Sequence, residues 1–213
     1  IPIHARKRSR GLCSVCERPG PGYDTLPQRR YEFIPLWGIL IFFLYSPRRI
    51  QCPRCGIHVE KLPWAQGKET LCLSYQWFLA RWAKKLSWTQ VADSFGTSYE
   101  AVFRSVQMAV IWGLRHRKLS GIRAIGVDEI LWLRGKFVTL VYEISDGSKR
   151  LLYIARDRTE QSLRGCFDLL GTVRSKRLRY VCSDMWRPYL NVIQEKASQA
   201  LNILDRFHIM KKF

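Results

Sequence analysis

"RAIGVDEI", residues 123–130, is an apolar run that ends on two acids. A run of this kind suits the interior of a sheet. A charge there needs a partner or a ligand. The same feature recurs: "LRYVCSDMW", residues 178–186, delivers Asp184, and "ALNILDRFH", residues 200–208, delivers Asp205. Around these segments the pattern is regular. "IRAIGVDEILWL" and "KFVTLVYEIS" read as strands, "DGSK" as a hairpin turn and "RLLYIARD" as a third strand. "TEQSLRGCFDLLG" has the helical period, with Thr159 to cap it and Gly171 to end it. "LRYVCSD" is again a strand, "WRPYLNVIQEKA" a helix and "LNILD" a strand.

The order β-β-β-α-β-α-β is that of a ribonuclease-H-like mixed sheet, in which the first strand lies beside the fourth. Asp128 on the first strand and Asp184 at the end of the fourth are then expected at one rim. Two carboxylates there can hold Mg²⁺ or Mn²⁺, which activates a water or a 3′-hydroxyl against a phosphodiester. Asp205 ends the fifth strand at the same rim, as an auxiliary ligand or as a group holding His208.

The charge of the chain names a partner for such a site. Thirty-six Lys and Arg against 17 Asp and Glu give a net +19 and a pI near 10.1. The excess is not local: 19 basic and 7 acidic residues precede position 121, and 17 and 10 follow. A protein this basic meets a polyanion, most often nucleic acid. With 47% apolar residues the 213-residue chain can also bury a core. No secretory signal is visible, and the apolar run "FIPLWGILIFFLY", residues 33–45, is too short for a membrane span and is broken by Pro35 and Gly38. A cytoplasmic, nucleoid-associated protein is expected, with no membrane partner.

Seven cysteines without an export signal suggest thiols or metal. "CSVC" holds Cys13 and Cys16; "CPRC" holds Cys52 and Cys55, with Gly56 next. Two such knuckles are a ligand set for one tetrahedral structural Zn²⁺. Between them "RRYEFIPLW" and "ILIFFLY" form a plausible hairpin turning at Gly38. Cys72, Cys166 and Cys182 sit in apolar patterns as inert thiols. Residues 1–66 thus read as a Cys₄ zinc-ribbon-like module.

Residues 67–119 read as helical. Leu71, Tyr75, Phe78, Leu79, Trp82 and Leu86 make one stripe. Ser87 with Gln90 is a capping box, Gly96 a left-handed stop, and Thr97 with Glu100 a second box. A short helix, a glycine turn and a second helix form a helix-turn-helix, whose second helix enters the major groove. Val102 and Val106 are expected inward, while Ser98, Tyr99, Phe103, Arg104 and Gln107 face double-stranded DNA. Residues 120–213 complete a multi-domain α/β (α+β) chain.

The succession of the two Cys pairs, the helix-turn-helix, "GVDE", "SDMWRPY" and "DRFHIMK" resembles the bacterial insertion-sequence transposases of the ISL-three group over almost all 213 residues. The resemblance implies a DDE mechanism: hydrolysis at a transposon end, then attack of the freed 3′-hydroxyl on target DNA. Asp128 and Asp184 carry over as the first two catalytic acids, and the family implies a homo-oligomer on paired ends. Its third acid, a Glu, lies beyond the "DRFH" motif, so a chain stopping at Phe213 is expected to lack it and to be incomplete for catalysis. The alternative is a non-catalytic zinc and helix-turn-helix DNA-binding protein, a repressor or transposase remnant.

Overall fold

The computed structural model describes residues 1–204 and Met210, so the expected roles of Asp205 and His208 lie outside the described residues. The chain forms two compact units, Ile1–Arg117 and Lys118–Phe213. Among the described residues no helix is long and apolar enough to cross a membrane.

The first unit opens with short strands. β1 (Gly11–Leu12) pairs with β2 (Pro19–Gly20). β3 (Gly22–Thr25), β6 (Arg48–Cys52) and β7 (Gly56–Val59) form an antiparallel sheet in the order β3-β6-β7. Between them, β4 (Arg29–Leu36) and β5 (Ile39–Tyr45) make the expected hairpin, turning through Trp37 and Gly38. Pro35 is tolerated in β4 because the register shifts between Phe33 and Leu36, where no ladder hydrogen bond is owed.

The hairpin does not stand alone. Its buried Tyr31 and Tyr45 share one core with Leu71, Tyr75, Leu79, Val91 and Val102 of the helical segment. Trp64 packs on the hairpin, its ring meeting Tyr31, Phe43 and Tyr45 edge-on at 6.2, 6.3 and 5.2 Å, and its carbonyl accepts from the Leu73 N–H at 2.7 Å, at the start of the helical segment. Position 66 therefore divides sequence patterns but not hydrophobic cores. Beneath β5 the buried Glu60 accepts from the Tyr45 hydroxyl at 2.6 Å and from Arg48 Nε and Nη2 at 2.9 and 2.6 Å. Burial works to raise its carboxyl, but the Arg48 and Tyr45 hydrogen bonds prevail and hold it below the usual range.

The helices are α1 (Leu73–Trp82), α2 (Trp88–Phe95) and α3 (Tyr99–His116). The Ser87–Gln90 capping box and the left-handed Gly96, φ 63°, both form. The second box does not. The Thr97 N–H bonds back to Ala92 O at 3.0 Å and so belongs to the exit of α2. Ser98 caps α3 instead, its hydroxyl accepting from Ala101 N at 3.1 Å.

The second unit is a five-stranded mixed sheet. β8 (Ala124–Leu133), β9 (Lys136–Glu143) and β10 (Arg150–Ala155) form an antiparallel meander. After α4 (Glu160–Leu170) and a short α5 (Thr172–Ser175), β11 (Tyr180–Ser183) returns parallel to β8. α6 (Arg187–Lys196) then leads to β12 (Leu201–Leu204), parallel to β11. The strand order β10-β9-β8-β11-β12 is the ribonuclease-H-like order expected from the sequence. Ile125, Val127, Val141 and Leu152 pack under Leu163, Phe167 and Leu170 of α4 and Tyr189, Val192 and Ile193 of α6. Gly126 is required on the other face, because a Cβ there would fall 2.7 Å from the ring of Tyr142, its cross-strand neighbour. Thr159 caps α4 by accepting from Ser162 N, and Gly171, φ 75°, ends it.

Candidate functional site

The β8–β11 pairing runs from Ala124↔Tyr180 to Gly126↔Cys182. Two residues further along lie Asp128, within β8, and Asp184, just past the end of β11, at the same end of neighbouring parallel strands. Strand alternation splits the two acids of "VDE". Glu129 shares the helix-covered face of Val127 and Val141, while Asp128 belongs to the face of Gly126. Asp128 Oδ1 accepts from the Glu129 N–H at 2.7 Å.

The structure adds a residue that the sequence pattern did not single out. Arg158, in the loop before α4, places Nε 2.6 Å from Glu129 Oε1 and Nη2 3.1 Å from Asp184 Oδ2. Its guanidinium lies over the Trp186 ring, 4.5 Å from the centroid. Trp186 in turn donates its backbone N–H to Asp184 Oδ1 at 3.1 Å. Asp184 is thus held at both oxygens. The Glu129–Arg158 contact is ionic rather than a directed hydrogen bond, since buried Glu129 Oε1 and Arg158 Nε each lack an aligned partner. Burial pushes the Glu129 carboxyl above its ordinary value, with the Asp184 charge adding to the rise and Arg158 opposing it. No local periodicity signals these pairings, because Arg158 is 26 residues from Asp184.

Hard oxygen donors at one rim suit Mg²⁺ or Mn²⁺. Asp128 and Asp184, at one end of neighbouring strands, are the pair that would hold such an ion, while Glu129 lies on the opposite face of β8 from Asp128. Arg158 supplies the positive charge to Glu129 and Asp184 in this structure.

The four cysteines come together as the knuckle spacing predicts. The Sγ atoms of Cys13, Cys16, Cys52 and Cys55 all lie within 4.8 Å of one another, and Cys13 and Cys52 are buried. That separation suits four thiolates around one ion at about 2.3 Å. Backbone N–H groups of Arg54 and Cys55 draw the Cys52 thiol down to about 6. The neighbouring Cys16 thiol, with burial, pushes Cys55 up to about 12. Four crowded sulfurs ionise together only around a cation. Cys72 and Cys166 are buried, and burial lifts their thiols to about 11 and 12, as inert thiols require.

On α3, Val102 is buried and Val106 half-buried, while Ser98, Tyr99, Phe103, Arg104 and Gln107 are exposed. Their partners differ. Ser98 is the helix cap. Tyr99 and Phe103 both pack against Trp88 of α2, at 5.8 and 5.7 Å. Arg104 is paired at 3.5 Å with Glu69 and 3.8 Å with Glu100. These ion pairs are exposed and exchange cheaply for a phosphate or a base. Arg104 and Gln107 line a groove of about 500 Å³ between α1 and α3, with Glu69, Trp77, Trp112 and Arg115.

Comparison with known proteins finds similarity to transposases. Residues 125–213 match the model of a family described as transposase, of the DDE type and ISL3 group. A transposase for insertion sequence element IS1557 from Mycobacterium tuberculosis is 27% identical over 217 residues, covering 99% of this chain and 48% of the relative. A transposase for insertion sequence element IS1001 from Bordetella parapertussis is 22% identical over 204 residues, covering 95% of this chain and 50% of the relative. The chain spans about half the length of these curated relatives.

Proposed function

We propose that this chain, similar to the ISL-three insertion-sequence transposases, carries the DNA-binding parts and two catalytic acids of a DDE transposase. The observation that supports this most is the paired rim of β8 and β11, which puts Asp128 and Asp184 at one end of a ribonuclease-H-like sheet. A bound Mg²⁺ or Mn²⁺ would polarise the scissile phosphodiester and favour deprotonation of the attacking water or 3′-hydroxyl. The carboxylates of Asp128 and Asp184 would hold and orient it, and the rigid sheet keeps them from following the substrate away. The test is Mn²⁺-dependent cleavage of terminal-repeat DNA by this chain and by the protein extended to the natural end of its reading frame. Cleavage that survives Asp128→Asn would move the chemistry elsewhere.

In this reading, residues 1–66 form the module in which Cys13, Cys16, Cys52 and Cys55 hold Zn²⁺. Residues 67–119 bind double-stranded DNA through α3, and residues 120–213 contribute to catalysis on transposon ends and target. Self-association into a homo-oligomer would bring two ends together. The net charge of +19 supports a DNA partner for both units.

Arg104→Ala is expected to weaken duplex binding. If Arg104 reads guanine, the loss is about 1–3 kcal/mol and falls on one base position. If it touches phosphate, the loss is uniform and the salt slope flattens by about one unit. Fluorescence anisotropy across a salt series separates the two. Unchanged affinity at every salt concentration would remove Arg104 from the interface.

A further inference from the structure

Arg158 stands where a divalent cation would have to meet Asp184. Its Nη2 lies 3.1 Å from Asp184 Oδ2, and its Nε 2.6 Å from Glu129 Oε1. We propose that Arg158 is a positioning residue of the carboxylate rim: a resident cation that holds Asp184 and Glu129 in place and yields Asp184 Oδ2 to an incoming divalent ion. The inference rests on the reading above that Asp184 helps to hold that ion.

The loop that carries Arg158 is fixed on both sides. Thr139 Oγ1, on β9, lies 2.5 Å from the Asp157 carbonyl and 2.6 Å from the Tyr189 hydroxyl. Thr139 has one hydroxyl proton and gives it to the carbonyl, so Tyr189 of α6 donates to Thr139. Asp157 Oδ1 also accepts from Thr159 Oγ1 at 3.0 Å and from Ser162 Oγ. The guanidinium plane rests on Trp186, whose backbone N–H holds the other oxygen of Asp184. One fork therefore reaches two carboxylates from a fixed loop and a fixed stacking surface, an arrangement open to Arg and not to Lys.

The contacts differ in how readily they break. Glu129 is the more enclosed partner, its side chain 12% exposed against 18% for Asp184. Leaving its charge without a cation costs more than leaving that of Asp184. A guanidinium that releases one carboxylate keeps Glu129 and gives up Asp184. It then balances Glu129 while the divalent ion balances the aspartates, and no buried charge is left alone.

This predicts a sign that a purely structural arginine does not give. Removing the competing cation should tighten Mn²⁺ binding. Arg158→Gln in the 213-residue chain is expected to lower the Mn²⁺ dissociation constant about tenfold, since a unit positive charge within a few ångströms of the binding oxygens is lost. Binding is read by electron paramagnetic resonance of free Mn²⁺, which needs no catalytic turnover, and thermal melting reports whether each variant folds. Should the glutamine variant fail to fold, Arg158→Lys carries the test: a single ammonium cannot bridge both carboxylates, and binding should tighten severalfold. Weaker or unchanged Mn²⁺ affinity in a folded variant would overturn the proposal while leaving the Asp184 site standing. Mn²⁺ binding that is absent throughout, or that Asp184→Asn leaves intact, would instead overturn the reading of the site itself, and the role of Arg158 with it.

Discussion

Protein stripped of metal by a chelator, or carrying Cys52→Ser, is expected to lose the order of β1, β2, β3, β6 and β7 while its helices persist. The reason is the size of the local core. Around the cysteines only Cys13, Ile50 and Cys52 are buried together, with Cys16 and Cys55 packed against them. The strands there are two to five residues long. Such a cluster buries too little apolar surface to offset the entropy of ordering it. A structural zinc contributes about 10–16 kcal/mol in small metal modules near neutral pH, far more than that core supplies. The helical core, from Tyr31 to Val102, shares no cysteine of the cluster and should survive. Hydrogen exchange should show fast exchange at residues 48–59 after chelation and continued protection at residues 75–80. Metal analysis of untreated protein should give about one zinc per chain. Protein with almost no zinc and protected strands would sink the assignment.

Asp184→Asn is expected to cost about three orders of magnitude in Mn²⁺-dependent strand cleavage by the cleavage-competent protein, with duplex binding unchanged. The amide keeps an oxygen for the Trp186 N–H at one side and loses the negative charge at the other. Folding should therefore be spared, which circular dichroism will check. A carboxylate that helps to hold a catalytic ion supplies several kcal/mol of transition-state stabilisation, and each 1.4 kcal/mol is tenfold in rate. Asp128→Asn should behave alike. Cleavage retained within about tenfold by both variants would remove them from the chemistry.

Much of this architecture was legible because its signals are local. The meander from Ala124 to Ala155, the Thr159 and Ser87 caps and the Gly96 and Gly171 stops each rest on residues within a few positions of one another. The β8–β11 pairing followed from element order alone. What escaped is non-local. Arg158 meets Glu129 and Asp184 from a loop with no periodic mark, and Arg48 meets Glu60 across 12 residues. The boundary near residue 66 marks a change of pattern, yet Trp64 and the hairpin tyrosines bury themselves against the helices, which only the folded chain reveals. Thr97 and Ser98 are both good caps by type. The bond from the Thr97 N–H to Ala92 O decided between them.

The register of β8 also sets an order of assembly. β8, β9 and β10 are joined by short connections, and their pairings close few residues at a time. β11 reaches β8 only after α4 and α5 have been traversed, so its first pair, Tyr180↔Ala124, closes a much longer loop. Loop closure grows costlier and slower with length, and parallel pairing comes late. Asp128 is then presented on a finished meander before Asp184 arrives beside it. A nascent or refolding chain passes through a stage that has a sheet but no paired acids. Pulsed hydrogen exchange during refolding should protect residues 138–142 before residues 181–183, and simultaneous protection would contradict this order.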